Sequence, residues 1–272
     1  MADKYQRFYE LAGRQYPEDE LTYSSLSGLI RKKWVQARIR DLPAGNLLDC
    51  GCNTGRISAA WRKGGVFGID IAFSALRRGQ TLFPQSNFIQ GDLRQLGFIR
   101  SGAIDNCVVI EALEHLEDPR GFLADLHRSL KVGGSLLVTT PGYARNRPRE
   151  LSLGILRSYG INEAPVGDRY HHTAYKPAEL AALLTQAGFE VLEQGSFEHE
   201  VRGWVKPLVV LGNLVERISG RWFPGSRLNI LIAGSLRSFE LDLFHMLDVF
   251  GFDRLLRRFF PEGRRTFAFA RK

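Results

Sequence analysis

The residues with chemistry to offer are acids at the ends of short apolar runs. Leu47-Leu48 leads into Asp49, and Asp49-Cys50-Gly51-Cys52-Asn53-Thr54-Gly55 reads as a glycine-containing turn. Gly51 and Gly55 let backbone approach a ligand closely, and Asn53 tolerates left-handed dihedrals better than most side chains. Val66-Phe67-Gly68-Ile69 ends on Asp70 and Ile71, and Asn87-Phe88-Ile89-Gln90 ends on Gly91-Asp92-Leu93. Asp70 follows Gly51 by 19 positions, close to the spacing at which an acid receives ribose hydroxyls. One carboxylate can accept from two vicinal hydroxyls at once. These acids predict a nucleotide-like ligand. Arg56 to Trp61 starts a helical pattern, whose first N–H groups would favour an anionic part of that ligand. The spacing D-x-G-x-x-x-G differs from the dinucleotide fingerprint, and no Gly-Lys-Ser/Thr follows, so ATP or GTP hydrolysis has no support.

A second constellation follows the next apolar run. Asn106 to Ile110 leads into Glu111-Ala112-Leu113-Glu114-His115. If that turn is helical, Glu111, Glu114 and His115 share one face and converge. His171 or His172, from Tyr170-His171-His172-Thr173, could join them. Two carboxylates with imidazoles suit Mg²⁺, Mn²⁺ or a later transition metal. Three readings stay open here. One is a metal site of Glu111, Glu114, His115 and His172. Another is plain acid–base work by His115, with Glu114, His171 and His172 beside it. The third is a set of structural roles.

Positioning these groups requires repeated strand–helix units. Helical patterns run from Ala72 to about Leu82, Phe122 to Leu130 and Ala178 to Ala187, and apolar runs between them read as strands. Short links between such units imply a doubly wound, mainly parallel α/β sheet with right-handed crossovers. Ligands in such sheets lie beyond the carboxyl ends of the strands, where Asp49, Asp70, Asp92 and Glu111 all stand. Ahead of the sheet, Tyr5 to Ala12 and a segment capped by Ser24 or Ser25 and ending at Leu42-Pro43 read as helices. Tyr16 to Glu20 shows no clear pattern. Tyr143 to Asp168 reads as a loop, with a short helix around Leu151 to Leu156.

With three strand-end acids in series, the chain resembles the class I S-adenosylmethionine (SAM)-dependent methyltransferases, over most of its length up to about Glu193. The resemblance implies a seven-stranded Rossmann-like sheet whose last strand, Thr266 to Arg271, runs antiparallel between the fifth and sixth. It implies SAM as cofactor, held by Asp49, Gly51, Cys52, Asn53, Thr54, Gly55, Asp70, Ile71, Asp92, Leu93 and Glu111. Asp92 would meet the adenine amino group and Leu93 would pack on the ring. The E-x-x-E-H run resembles two metal-using branches, the quinone-biosynthesis O-methyltransferases and the small-RNA terminal 2′-O-methyltransferases. Similar runs also occur in class I enzymes without a metal. N-terminal helices in this family cover the cofactor or acceptor pocket; packing on the sheet edge is the other reading of residues 1–43.

Composition sets outer limits. A hydrophobic content of 44% and charged content of 24% are those of a globular protein. Three cysteines, Cys50, Cys52 and Cys107, read as reduced thiols, and no ligand spacing suggests zinc. Met1 to Arg7 has no signal-peptide core, and a cytoplasmic protein is expected. The net charge of +8 permits RNA or an anionic lipid surface without selecting either. The expected organisation is a single methyltransferase domain: helices over 1–43, a SAM-binding core over 44–200, a helical lid over 201–263 and the last strand over 264–272. In the lid, Trp204, Trp222, Phe223, Phe259 and Phe260 sit beside arginines, a pattern suited to peripheral contact with a headgroup layer. The expected function is O-methylation of a small or lipid-like hydroxylated acceptor. RNA methylation and a non-catalytic SAM-binding partner subunit are the alternatives, and nucleic acid is weakened by the lack of a recognisable stacking-plus-basic module.

Overall fold

The computed structural model describes residues 3–16, 18–142, 147–199, 242–247 and 249–272, with single positions 210, 214, 218 and 239. Seven strands form one sheet in the order β3-β2-β1-β4-β5-β9-β8. They are β1 (Leu47–Cys50), β2 (Val66–Asp70), β3 (Asn87–Gln90), β4 (Ile104–Ile110), β5 (Leu130–Pro141), β8 (Glu190–Phe197) and β9 (Arg265–Arg271). β1 pairs in parallel with β2 and β4, while β9 runs antiparallel between β5 and β8. This is the expected Rossmann-like sheet, including its reversed last strand. The order changes direction between β1 and β4, so a crevice opens at their carboxyl ends.

Alternation along each strand divides the core in two. Leu48, Cys50, Cys107 and Val109 face one cluster with α5 (Pro119–Ser129) and α6 (Pro177–Gln186). Leu47, Val66 and Val108 face the other with Val35 and Ile39 of α3 (Leu26–Asp41). Ser25 caps α3 by accepting from the Gly28 N–H, and Trp34 stacks on Phe197 at 4.0 Å. A third cluster joins Phe8 of α1 (Lys4–Gln15) to Leu153, Leu156 and Ile161. The cysteines are free and buried.

Three expectations change. The helix expected from Arg56 is a three-residue 3-10 turn, Ser58–Ala60. The chain is drawn back at once: the Trp61 indole donates to the Gly45 carbonyl at 3.0 Å, and Lys63 Nζ donates to the Arg40 and Leu42 carbonyls. So short a turn offers an anion no macrodipole. The unpatterned Tyr16 to Glu20 run leads into a helix, α2 (Glu18–Ser24). The short helix expected around Leu151 is instead β6 (Glu150–Ser152), paired with β7 (Arg169–His171), followed by a 3-10 turn, Gly154–Tyr159. Most of the expected lid lies outside the described residues; helix Phe252–Phe259 near its end is described.

Candidate active site

A cleft opens beyond the carboxyl ends of β1 to β4. Gly51, Asn53, Asp70, Ile71, Asp92, Leu93, Glu111 and Ala112 line it from the sheet, and Tyr5, Tyr9, Ala12 and Gly13 of α1 close it from above. α1 therefore covers the cleft, as one reading of residues 1–43 had it, while α3 packs on the sheet face. Gly51 is held at φ 77°, and a Cβ there would lie 2.5 Å from the Ala112 Cβ. Only glycine lets these two walls meet. A second, polar recess adjoins the first, lined by Arg31, Asp49, Cys52, Asn53 and Glu111 among others. Thr54 and Gly55 line neither recess; Thr54 is buried, and the Gly55 N–H donates to the Cys52 carbonyl.

The Asp70 carboxylate accepts from the backbone N–H of Asn53 at 2.8 Å and of Ala72 at 2.9 Å. Burial raises its carboxyl above the usual range, against those two hydrogen bonds. The structure thus orients an acid into the cleft while leaving lone pairs for hydroxyls. Asp92 is bridged by Arg94, which also reaches Asp3 and lies 4.1 Å from the Tyr5 ring centroid.

The second constellation divides. Glu111 stands at φ 54°, before a 3-10 turn of Leu113–His115, so the shared helical face expected for Glu111, Glu114 and His115 does not form. Glu111 points toward cations instead. Its carboxylate meets Arg265 Nε at 2.9 Å, Arg31 Nη1 at 3.8 Å and the Thr139 hydroxyl at 3.0 Å. Burial pushes its carboxyl up, but the two arginines outweigh this and hold it below the ordinary range. Arg31 Nε also meets Glu198 at 2.8 Å, and Arg265 Nε lies 3.8 Å from the same carboxylate. Two cations and two anions thus alternate in a buried square.

Glu114, His115 and His172 do come together, with one ligand atom from each within 4.8 Å of the others. Glu114 is 2% exposed, its Oε2 makes no hydrogen bond, and burial followed by the Glu111 charge raises its carboxyl well above the usual range. His115 Nδ1 faces the His171 carbonyl at 3.2 Å. A carbonyl only accepts, so Nδ1 carries the proton and the neutral ring keeps its lone pair on Nε2. Burial lowers the pKa of His115 and lowers that of His172 to about 4. His171 departs from the cluster: its Nε2 pairs with the Thr173 hydroxyl at 2.8 Å.

Arg31, Arg265, Glu198, Tyr5 and Tyr9 belong to this region and were not anticipated. Arg31 lies in a helix with basic residues at 32, 33, 38 and 40, which reads as a solvated stripe until the β8–β9 edge is folded against it.

Residues 48–138 match the family described as a methyltransferase domain. The ubiquinone biosynthesis O-methyltransferase of Bordetella avium (strain 197N) is 28% identical over 192 residues, which is 68% of this chain and 78% of that protein. The enzyme of the same name from Xanthomonas oryzae pv. oryzae (strain PXO99A) is 29% identical over 179 residues, 63% of this chain and 73% of that one. The structure of phosphoethanolamine N-methyltransferase 2 from Haemonchus contortus, in complex with SAM, superposes with a TM-score of 0.57 at 16% identity. The match covers 97% of this chain and 60% of that one, and at this identity it speaks for the fold. The matching methyltransferase domain and these relatives, together with strand-end acids around one cleft and a sheet of this order, support a class I S-adenosylmethionine-dependent methyltransferase.

Proposed function

We propose that the protein methylates a hydroxyl of a small or lipid-like acceptor. The observation that carries this is the half-buried His115 ring, placed beside Glu114 and His172 on the wall of the cofactor cleft. SAM supplies an activated methyl group, so the protein has to align the acceptor, exclude water and take a proton. His115 is the residue to take it, because burial keeps the ring neutral and the His171 carbonyl fixes the tautomer. Asp70 would hold ribose hydroxyls, Asp92 and Leu93 the adenine, and Gly51, Cys52, Asn53 and Ile71 the walls around them. Asp49, Arg31 and Glu111 belong to the polar recess, where a cation among acids suits the charged ends of an amino acid. The ubiquinone biosynthesis O-methyltransferases, to which the chain is similar, are named for transfer to oxygen.

The same cluster fits a divalent cation. Glu114, His115 and His172 would hold it, supplying one carboxylate oxygen and two imidazole nitrogens, and Glu114 Oε2 has no competing hydrogen bond. Bound there, a cation would act as a Lewis acid toward a hydroxyl. Glu111 is committed to its arginines and His171 to Thr173, so neither belongs to the proposed ligand set. In this reading the chain is one methyltransferase domain, elaborated by N-terminal helices and by the segment between β8 and β9. That segment would also touch an anionic membrane surface.

The test is the chemistry of the product. With ¹³C-methyl SAM and a panel of hydroxylated, amino and C–H acceptors, the account expects an O-methyl carbon resonance; its loss on chelation and return with Mg²⁺ or Mn²⁺ would give His115 Nε2 to the cation in place of the acceptor proton. Full turnover after exhaustive chelation would remove the cation and leave His115 as a plain base. A methyl group found only on nitrogen or carbon would overturn the oxygen reading.

A further inference from the structure

Helix α1 roofs the cleft, and its two ends are fastened differently. Toward its C-terminus it is tied to α4 (Phe73–Leu82). The Ser74 N–H donates to the Glu10 carboxylate at 3.3 Å, and Arg78 Nη1 donates to the Gly13 carbonyl at 2.5 Å. A Cβ on Gly13 would lie 2.7 Å from the Ala72 Cβ, so the backbones are in close contact there. The middle of α1 is held by Phe8 in the third core cluster. Toward its N-terminus a side chain of the cleft floor, Arg94, reaches up to it.

Arg94 Nη2 donates to the Asp3 carboxylate at 2.6 Å, and the guanidinium lies 4.1 Å from the Tyr5 ring centroid. The same guanidinium grips Asp92, with Nε 2.9 Å and Nη2 2.5 Å from Oδ2. The Arg94 backbone N–H donates to Asp92 Oδ1 at 2.8 Å. A carboxylate offers about four lone-pair sites, so these three donors leave about one for the adenine amino group. Asp3, Asp92 and Arg94 are all partly exposed, and one such pair alone would add little. Here the contacts converge on one planar fork that also stacks on an aromatic ring, which an ammonium does not reproduce.

We propose that Arg94 is a positioning residue for the cofactor: it latches the acid that faces adenine to the N-cap of the roof helix, and so sets how slowly bound SAM leaves. SAM resting on Asp70, Asp92 and Leu93 would have Tyr5, Tyr9 and Ala12 above it. Release at this end requires the N-terminal half of α1 to lift. That movement breaks the Asp3–Arg94 pair and the Tyr5 stack together, and such opening steps commonly govern release. The proposal goes beyond the hydroxyl-acceptor reading and is independent of which acceptor is methylated. It rests on SAM occupying this cleft with adenine at Asp92.

The experiment loads the full chain with methyl-tritiated SAM, adds excess unlabelled S-adenosylhomocysteine and follows the loss of bound label. Arg94→Met keeps the stem and removes the fork, so release should speed about tenfold, the combined worth of an exposed ion pair and a cation–π contact. Asp3→Asn leaves the Arg94–Asp92 pair in place and keeps the helix cap, because asparagine caps as well as aspartate. Its release should speed about threefold, the worth of the ion pair alone. Arg94→Lys should fall between the wild type and Arg94→Met. Both changes act through one contact, so the double variant should release no faster than Arg94→Met. Release from Asp3→Asn at the wild-type rate would overturn the latch and leave Arg94 a partner of Asp92 only. Rate increases that multiply in the double variant would also overturn it. A wild type that retains no label would overturn the latch together with the cofactor reading of the cleft, an outcome distinct from retention with unchanged release.

Discussion

At the scale of single residues, Asp70 and His115 are set by opposite backbone devices. Asp70 accepts two N–H groups, from Asn53 and Ala72, which aims its remaining lone pairs into the cleft. Asp70→Ala should weaken S-adenosylhomocysteine binding by about 1.5–3 kcal/mol, the value of hydrogen bonds to a charged group. Calorimetry giving an unchanged affinity would remove the ribose assignment. His115 gives its Nδ1 proton to a carbonyl, and burial lowers its pKa below 6.5. The base form is then fully present at neutral pH and is lost as the pH falls below that value. In metal-free protein kcat/KM should be flat near neutrality and decline only on the acid side. A decline beginning above pH 7 would point to a different base. The strand-end acids were legible in the sequence because they terminate apolar runs at regular intervals. Arg31, Arg265 and Tyr9 were not, since nothing local marks a buried arginine or a tyrosine that covers a cleft.

At the scale of elements, the buried square of Arg31, Glu111, Glu198 and Arg265 ties four pieces of chain together. α3 supplies Arg31, the end of β4 supplies Glu111, and residues flanking the segment between β8 and β9 supply Glu198 and Arg265. Removing one member of a buried pair leaves a charge uncompensated, which typically costs about 3–5 kcal/mol. Arg265→Met should therefore lower the urea stability by about 3 kcal/mol or more. A loss under about 1 kcal/mol would class the square with ordinary surface pairs. The same site shows where local pattern fails. E-x-x-E-H has helical spacing, yet Glu111 takes a left-handed backbone and turns away, because two arginines distant in sequence hold its carboxylate. Likewise Arg56 to Trp61 has helical composition, but Trp61 and Lys63 bond back to the chain before β1, and only one turn survives. The strands and the long helices were legible because their periodicity matched the packing that buries them.

At the scale of the whole molecule, His115 belongs both to the strand-end cleft and to the cluster with Glu114 and His172, with α1 across the top. The segment between β8 and β9 ends in helix Phe252–Phe259, where Leu255 and Phe259 are exposed beside Arg254, Arg257 and Arg258. Val249 and Phe250, just before it, are also exposed. No helix among the described residues is long and apolar enough to cross a membrane. Aromatic and aliphatic side chains with adjacent arginines suit a headgroup layer, each basic residue adding about 1 kcal/mol at low salt. Flotation with anionic vesicles should carry part of the protein upward at low ionic strength and release it in salt. Protein that stays wholly in the aqueous fraction at low salt would make these arginines a solvated face.

The central claim is that His115, on the wall of the SAM cleft, takes the acceptor proton during methyl transfer. Its most direct test is His115→Asn, with methyl transfer and S-adenosylhomocysteine affinity measured on the same preparation. A positioned base contributes about 10²–10⁴-fold, so transfer should fall by at least about a hundredfold while the affinity changes far less. Transfer within a few-fold of the wild type, or an affinity that falls in step with the rate, would contradict it.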